Sequence, residues 1–316
     1  MATEDHTTTA LVTGIKRRGS IPENQNLFTT PDLLAMADDE MRSNLYPMLM
    51  NLHAEYFVDK TDTPVSSGTD NEFSFPSTAI STKLRDVTII DTNGGEFSIP
   101  QLSQDTVYDR DSGSRSTNPS QNLGFFIRGN KVKLYPKVPE GDYNLRLYFF
   151  RRPNRLVVTS AAGKITAIDS TLNIMTLSNV PAAWTTGDTI CALDSKPSFN
   201  LKVETDTLVD VSAPTIEVAD VSSYTIGDWV CLEGESTIPQ IPVESHPILE
   251  QAVCTLALLA LGDPKWKEHE AKLQQMRIAF QQMTSGRVEG EAKVIVDPVA
   301  IQNFTSYGYY RRNRNR

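Results

Sequence analysis

Cysteine is almost absent from this chain. Three occur in 316 residues, Cys191, Cys231 and Cys254. An odd, low count with no Cys-x-x-Cys spacing argues against a disulfide scaffold and fits synthesis in a reducing cytoplasm. Long apolar runs are scarce too. The longest, Ala252 to Leu261, ends at Gly262-Asp263-Pro264 and falls well short of the roughly 20 residues a membrane-spanning helix needs. The N-terminal MATEDHTTTALVTG lacks a basic stretch followed by an apolar one, so no secretory signal is expected. The four histidines are His6, His53, His246 and His269, none of them paired at the i, i+4 spacing of a helical metal site. Neither a phosphate-binding Gly-x-x-x-x-Gly-Lys loop nor a Gly-x-Ser-x-Gly nucleophile turn occurs. Carboxylates are plentiful, yet nothing singles out two of them as a glycosidase pair. The expectation is a protein with no enzymatic activity, no cofactor and no metal.

The charge balance is acidic: −9 in formal charge, with a pI of about 5.1. A protein that reads nucleic-acid sequence needs cations to neutralise phosphates. Acidic walls suit the opposite task, letting DNA slide past without sticking. Hydrophobic residues make up 39% of the chain, which is modest for its length, and several loops are long and polar. Chains of this kind often complete their structure against neighbours.

Periodicity divides the chain into parts. Residues 1–28 have little and read as an extended arm with a basic cluster at Lys16-Arg17-Arg18. A helix start follows at Thr29-Thr30-Pro31-Asp32, with Thr30 as cap and Pro31 in the first turn. Leu33, Ala37, Met41, Leu45, Met48, Leu52 and Tyr56 keep helical spacing over about 31–57, and Pro47 should kink that helix near Tyr46. Strand signals then take over. They run through 83–90 to a Thr92-Asn93-Gly94-Gly95 turn and 96–99, and through a tight Gly129-Asn130 hairpin. Tyr143–Phe150 alternates and stops at Arg151-Arg152-Pro153. Beyond the next β-rich stretch, Ser245–Ala260 is apolar nearly all round, so it reads as a buried helix. Gly262-Asp263-Pro264 joins it to a third helix reaching about Thr284, in an αα-hairpin. Lys265, Lys267, Glu268, Lys272 and Arg277 are expected to solvate that helix.

Residues 156–242 repeat themselves. Ile174–Leu177 leads to Val180, Trp184 and Gly187-Asp188-Thr189-Ile190-Cys191. Thr215–Val218 leads to Val221, Tyr224 and Gly227-Asp228-Trp229-Val230-Cys231. Two tandem β-hairpin units form one inserted β-domain in this reading. The Gly-Asp pairs read as turns, with Gly taking the left-handed dihedral and Asp bonding the turn amides. The alternative makes the aspartates a calcium or catalytic site. The fold class expected is α+β: a helical core, made of a kinked N-terminal helix and a C-terminal αα-hairpin, with strands, an inserted small β-domain and extended terminal arms. The parts are 1–28, an N-terminal arm; 29–155 with 243–290, a discontinuous core; 156–242, the insertion; and 291–316, a C-terminal arm.

That last segment is the most unusual. Phe304, Tyr307, Tyr309 and Tyr310 precede Arg311, Arg312, Arg314 and Arg316. Tyr and Arg are typical anchors of protein interfaces, and guanidinium pairs well with acidic groups. A docking arm is the reading adopted. Weak nucleic-acid contact by stacking and charge and a solubilising tail are the alternatives.

The order of these features resembles the head-to-tail adaptor (connector) proteins of tailed bacteriophages. The residues that carry the resemblance are Thr30-Pro31-Asp32-Leu33-Leu34; Tyr148-Phe149 with Arg151-Arg152-Pro153; Val180–Trp184 with Gly187-Asp188; Ile241–Leu249; and Leu259–Asp263. It spans roughly residues 27–295. The resemblance implies a structural virion protein at the head–tail junction. It implies a homo-oligomeric ring, usually a dodecamer, below the portal protein. The C-terminal arm would reach toward the portal, a nozzle, stopper or fibre would follow below, and genomic DNA would pass non-specifically through the lumen. No membrane is involved and no catalytic residues carry over. A tail or capsid accessory protein, whose β insertion contacts fibres or decoration partners, is the alternative; a wall-degrading tail component is the enzymatic one.

Overall fold

The computed structural model describes residues 6–22, 27–65, 72–91, 94–103, 123–135, 143–194 and 201–284. Helices and antiparallel sheets share the chain, so the fold is of mixed α+β class. The N-terminal region departs from the extended arm expected of residues 1–28, because Thr8–Gly19 form helix α1. Leu11, Val12 and Ile15 are buried on one face, and Lys16, Arg17 and Arg18 fill the last turn, where cations complement the helix dipole. Ser20 ends the helix in the left-handed conformation (φ 50°). Three apolar positions are too short a period to announce a helix alone. A partner helix completes it.

Helix α2, Thr30–Glu40, starts one residue earlier than expected. Thr29 is the cap, in a reciprocal capping box with Asp32, whose carboxylate accepts the Thr29 amide at 2.8 Å. A π-helical turn, Met41–Leu45, follows, and α3, Tyr46–His53, begins with Pro47 in its first turn. Pro47 has no N–H to donate and its ring crowds the preceding turn. The wider π turn sits directly ahead of it. Ala54–Phe57 close the segment as a 3-10 turn.

Two small sheets follow this helical run in the chain. Strands β1 (Val58–Pro64), β3 (Ala79–Ile90), β4 (Glu96–Ser98) and β7 (Asn144–Arg151) form an antiparallel sheet in the order β1-β7-β3-β4. Strands β2 (Glu72–Ser74), β5 (Gly124–Arg128) and β6 (Lys131–Tyr135) form a second, ordered β2-β6-β5. The β5–β6 turn uses Gly129 alone in the left-handed region (φ 62°). Val87, Phe125, Val132, Leu145 and Leu147 fill the core between the sheets. The Tyr46 hydroxyl donates to the Arg151 carbonyl, tying the helical layer to β7.

The repeats close into one barrel. Strands β9 (Gly163–Asp169), β10 (Ile174–Leu177), β11 (Thr189–Leu193), β12 (Leu201–Ser212), β13 (Thr215–Val218) and β14 (Trp229–Leu232) run in the closed order β10-β13-β12-β11-β14-β9. Swapping β9, β10 and β11 for β12, β13 and β14 maps every pairing onto another. Thus the barrel has pseudo-two-fold symmetry, with Met175 opposite Ile216 and Cys191 opposite Cys231. Two side-by-side hairpins describe only half of this, because each repeat sends its third strand to the other. Closure removes the exposed edges that separate three-stranded units would keep.

Short strands β8 (Arg155–Leu156) and β15 (Glu235–Ser236) pair in parallel where the chain enters and leaves the barrel. Helix α4, His246–Ala260, then runs through the helical core, with Leu249, Val253, Cys254 and Ala257 fully buried. It packs on α1 and α2 and on the last helix, α5, Trp266–Thr284. The contact with α1 is close: a Cβ on Gly14 would lie 2.4 Å from the Glu250 carboxylate, and Arg18 pairs with Glu250 at 2.7 Å. Among the described residues no helix is long and apolar enough to cross a membrane.

Candidate partner interface

The two Gly-Asp turns are structural by their geometry. Gly187 and Gly227 adopt φ 92° and 102°. The Asp188 carboxylate accepts the Thr185 amide at 2.7 Å and its hydroxyl at 3.1 Å. Asp228 repeats this with Thr225 at 2.8 and 3.0 Å. Each aspartate places Oδ2 on the turn, as Asx chemistry predicts, and among the described residues no group of His, Cys, Asp and Glu is placed to hold a metal.

The cysteines of the repeat serve packing. Ile190 and Ala192 point into the barrel, whereas Cys191 and Cys231 point outward to the side where Ala162 and Leu193 lie. There Asn154 bridges Cys191 and the Glu235 carbonyl, and its own amide is held by Gln240 at 2.8 Å. Burial pushes the Cys191 thiol up to about 12 and holds Cys231 well above its usual range. Cys254 lies 3.5 Å from His269 Nδ1, and burial pushes its thiol up to about 11, which favours the protonated, weakly nucleophilic form. An alkylating reagent at about pH 8 is therefore expected to label none of the three thiols in the folded protein and all three in denaturant. Prompt labelling of folded protein, read by mass, would contradict this.

Of the four histidines, His6 and His246 meet edge to face at 5.4 Å, and His53 Nε2 donates to the Thr284 carbonyl, 2.7 Å away. Arg277 is not the solvating charge its sequence position suggested. It turns inward to Glu40 at 2.7 Å, and Glu40, 6% exposed, also accepts from Asn44. Consequently Gln274–Thr284 has no charge left on its outer side, where Gln274, Gln275, Ile278, Ala279, Gln281 and Met283 are exposed. A solvated helix face normally carries mixed charges. Depletion of charge marks the centre of protein interfaces.

At the end of α5 lies an apolar cavity of about 220 Å³, walled by Leu49, Tyr56, Phe57, Pro242 and Phe280. His53, Glu244 and the helix-terminal Thr284 also line it. Burial raises the Tyr56 hydroxyl, with Arg151 opposing. The sequence assigned these side chains to core or passed over them. The signal that was present is the run Gln-Gln-Met-Arg-Ile-Ala-Phe-Gln-Gln-Met, too polar for a core and too weakly charged for open solvent. The segment that forms the barrel is acidic by sequence, with nine acidic and three basic residues over 163–232, and Leu172, Val209 and Ile226 are exposed on it. The arm residues Phe304, Tyr307, Tyr309, Tyr310, Arg311, Arg312, Arg314 and Arg316 lie outside the described residues.

The Gly-Asp turns are packed, burial raises all three thiols, and the outer side of the second half of α5 carries no charge. Residues 7–194 match the family described as SU10 adaptor protein, and the chain belongs to that family of bacteriophage structural adaptors, which is not a class of enzyme. The match begins at α1, inside the segment read as an arm, and ends after β11, halfway round the barrel. No curated protein matches the chain.

Proposed function

We propose that this chain is the adaptor ring of a tailed phage: twelve copies joined below the portal, passing the genome through their lumen during ejection. Membership of the adaptor family over residues 7–194 is the observation that carries this reading. The uncharged outer side of α5 and the acidic excess support it. A ring made by one repeated heterologous contact needs only two complementary patches and a rotation that closes. Walls of negative sign keep DNA from adhering as it passes. Residues 29–155 and 243–290, with α1 docked on them, form the ring body in this reading. Residues 156–242 form the insertion, and 291–316 the arm toward the portal or the adjoining copy. A nozzle, stopper or fibre attaches below.

Exposure of Leu172, Val209 and Ile226 on the barrel favours a second reading, an accessory protein that binds fibres or decoration partners through that surface. Electron microscopy of the full chain mixed with the portal encoded in the same genome separates the two. The adaptor reading expects a ring seated on the portal, unchanged in a Leu172→Ser/Ile226→Ser variant. No ring and no portal binding would end it. A particle-bound protein that detaches when those two residues are replaced would favour the second.

A further inference from the structure

We infer that the cavity at the end of α5 is the receptor for the aromatic C-terminal segment of a second copy of this chain. This deepens the adaptor reading and rests on it. The cavity's volume, about 220 Å³, exceeds the roughly 150 Å³ that admits a benzene-sized ring into an apolar site. Its walls are aromatic and aliphatic, and Glu244 supplies an exposed carboxylate beside them. The segment that follows α5 carries the matching chemistry. Phe304, Tyr307, Tyr309 and Tyr310 supply rings, and residues 303–316 hold four arginines and no acid. Aromatic anchors surrounded by Arg–carboxylate pairing are the usual composition of a docked peptide.

Chain length points to a second copy rather than to self-docking. Thr284 itself lines the cavity, so a segment meant for its own cavity has no distance to cover. Phe304 lies twenty residues further on, a reach of up to about 65 Å when extended. A compact chain of this size measures about 50 Å across. The intervening stretch holds Gly286, Gly290 and Pro298, a composition that suits a connecting strap. The uncharged side belongs to the same helix whose Phe280 and Thr284 line the cavity, giving the neighbouring body a surface to rest on. Each copy then presents one socket and one plug, which is what a closing heterologous ring requires.

The test keeps the chain at full length. Protein carrying p-benzoylphenylalanine in place of Phe304 is prepared as an equal mixture of ¹⁵N-labelled and unlabelled chains, then irradiated alone and with the portal. Crosslinked peptides are identified by mass. The expected products join the C-terminal peptide to residues 49–57 or 280–284 in mixed-isotope pairs. His53→Trp, which fills the cavity from an exposed position, and Thr284→Trp should each lower that yield at least about tenfold, with circular dichroism unchanged. Crosslinks to the portal, to the same chain only, or to another surface would overturn the inference. So would a yield indifferent to both cavity variants. Rings on the portal without the crosslink would sink this inference and spare the adaptor reading. Mixed-isotope crosslinks at the cavity with no ring would sink the adaptor reading and spare the docking.

Discussion

Arg277→Ala should cost about 2–3 kcal/mol, less than the loss of a partner in a fully buried ion pair because the Arg277 side chain is 24% exposed, and lower the melting temperature by roughly 3–6 °C. The reason is Glu40. Glu40 is 6% exposed, and its carboxylate is held by Arg277 at 2.7 Å and by Asn44 at 2.7 Å. Taking the guanidinium away leaves a charge in the α2–α5 contact with one amide for compensation. Adding Glu40→Gln to Arg277→Ala should recover part of the loss, because the buried charge goes too. A double variant no more stable than Arg277→Ala alone, measured by chemical denaturation, would show that the pair contributes no coupling. The same contact keeps the outer side of α5 uncharged, so a fold-stabilising pair also shapes the surface proposed for assembly.

Acid should weaken the fold through His246, by about 3 kcal/mol between pH 6.5 and pH 4. Burial first, and the neighbouring His6 second, hold this imidazole down to about 4 from the ordinary 6.5. The folded protein therefore binds a proton less readily than the unfolded chain. Stability contributed by neutral His246 is complete above the unfolded value, shrinks as pH falls through the interval, and is gone below the folded value. Asp38 and Glu235, raised mainly by burial, act with the opposite sign, adding stability on acidification. Comparison with His246→Gln removes them, since they are present in both proteins. The wild type should lose about 3 kcal/mol more than the variant over this interval. Parallel pH profiles would exclude the role.

The repeat units and their turns were legible because their signal is local. Gly187-Asp188 and Gly227-Asp228 demand a left-handed glycine and an acceptor facing two turn donors, and that requirement is written in four adjacent residues, Thr185–Asp188 and Thr225–Asp228. Helix α2 was legible for the same reason, apart from a one-residue shift in its cap from Thr30 to Thr29. Helix α1 was not. Leu11, Val12 and Ile15 become a helical face only when α4 offers Gly14 a place against Glu250. Arg277 read as a solvating charge because its spacing allows either direction, and only the buried carboxylate of Glu40, distant in sequence, turns it inward. The cavity at the end of α5 was invisible for a related reason: Leu49, Tyr56 and Phe280 each look like ordinary core, and the space among them belongs to three separated segments.

The sequence by itself determined the acidic balance, the poverty in cysteine, the punctuation of helices and turns, the two-fold repetition, and the order of motifs that resembles a phage adaptor. These are properties of neighbouring residues or of simple counts. Tertiary structure alone decided that the repeats exchange strands into a closed barrel, that α1 joins the helical core, and that α5 turns an uncharged side outward beside an apolar cavity. Each of those depends on which distant surface removes apolar area from water and which buried charge finds its partner, and local pattern carries neither.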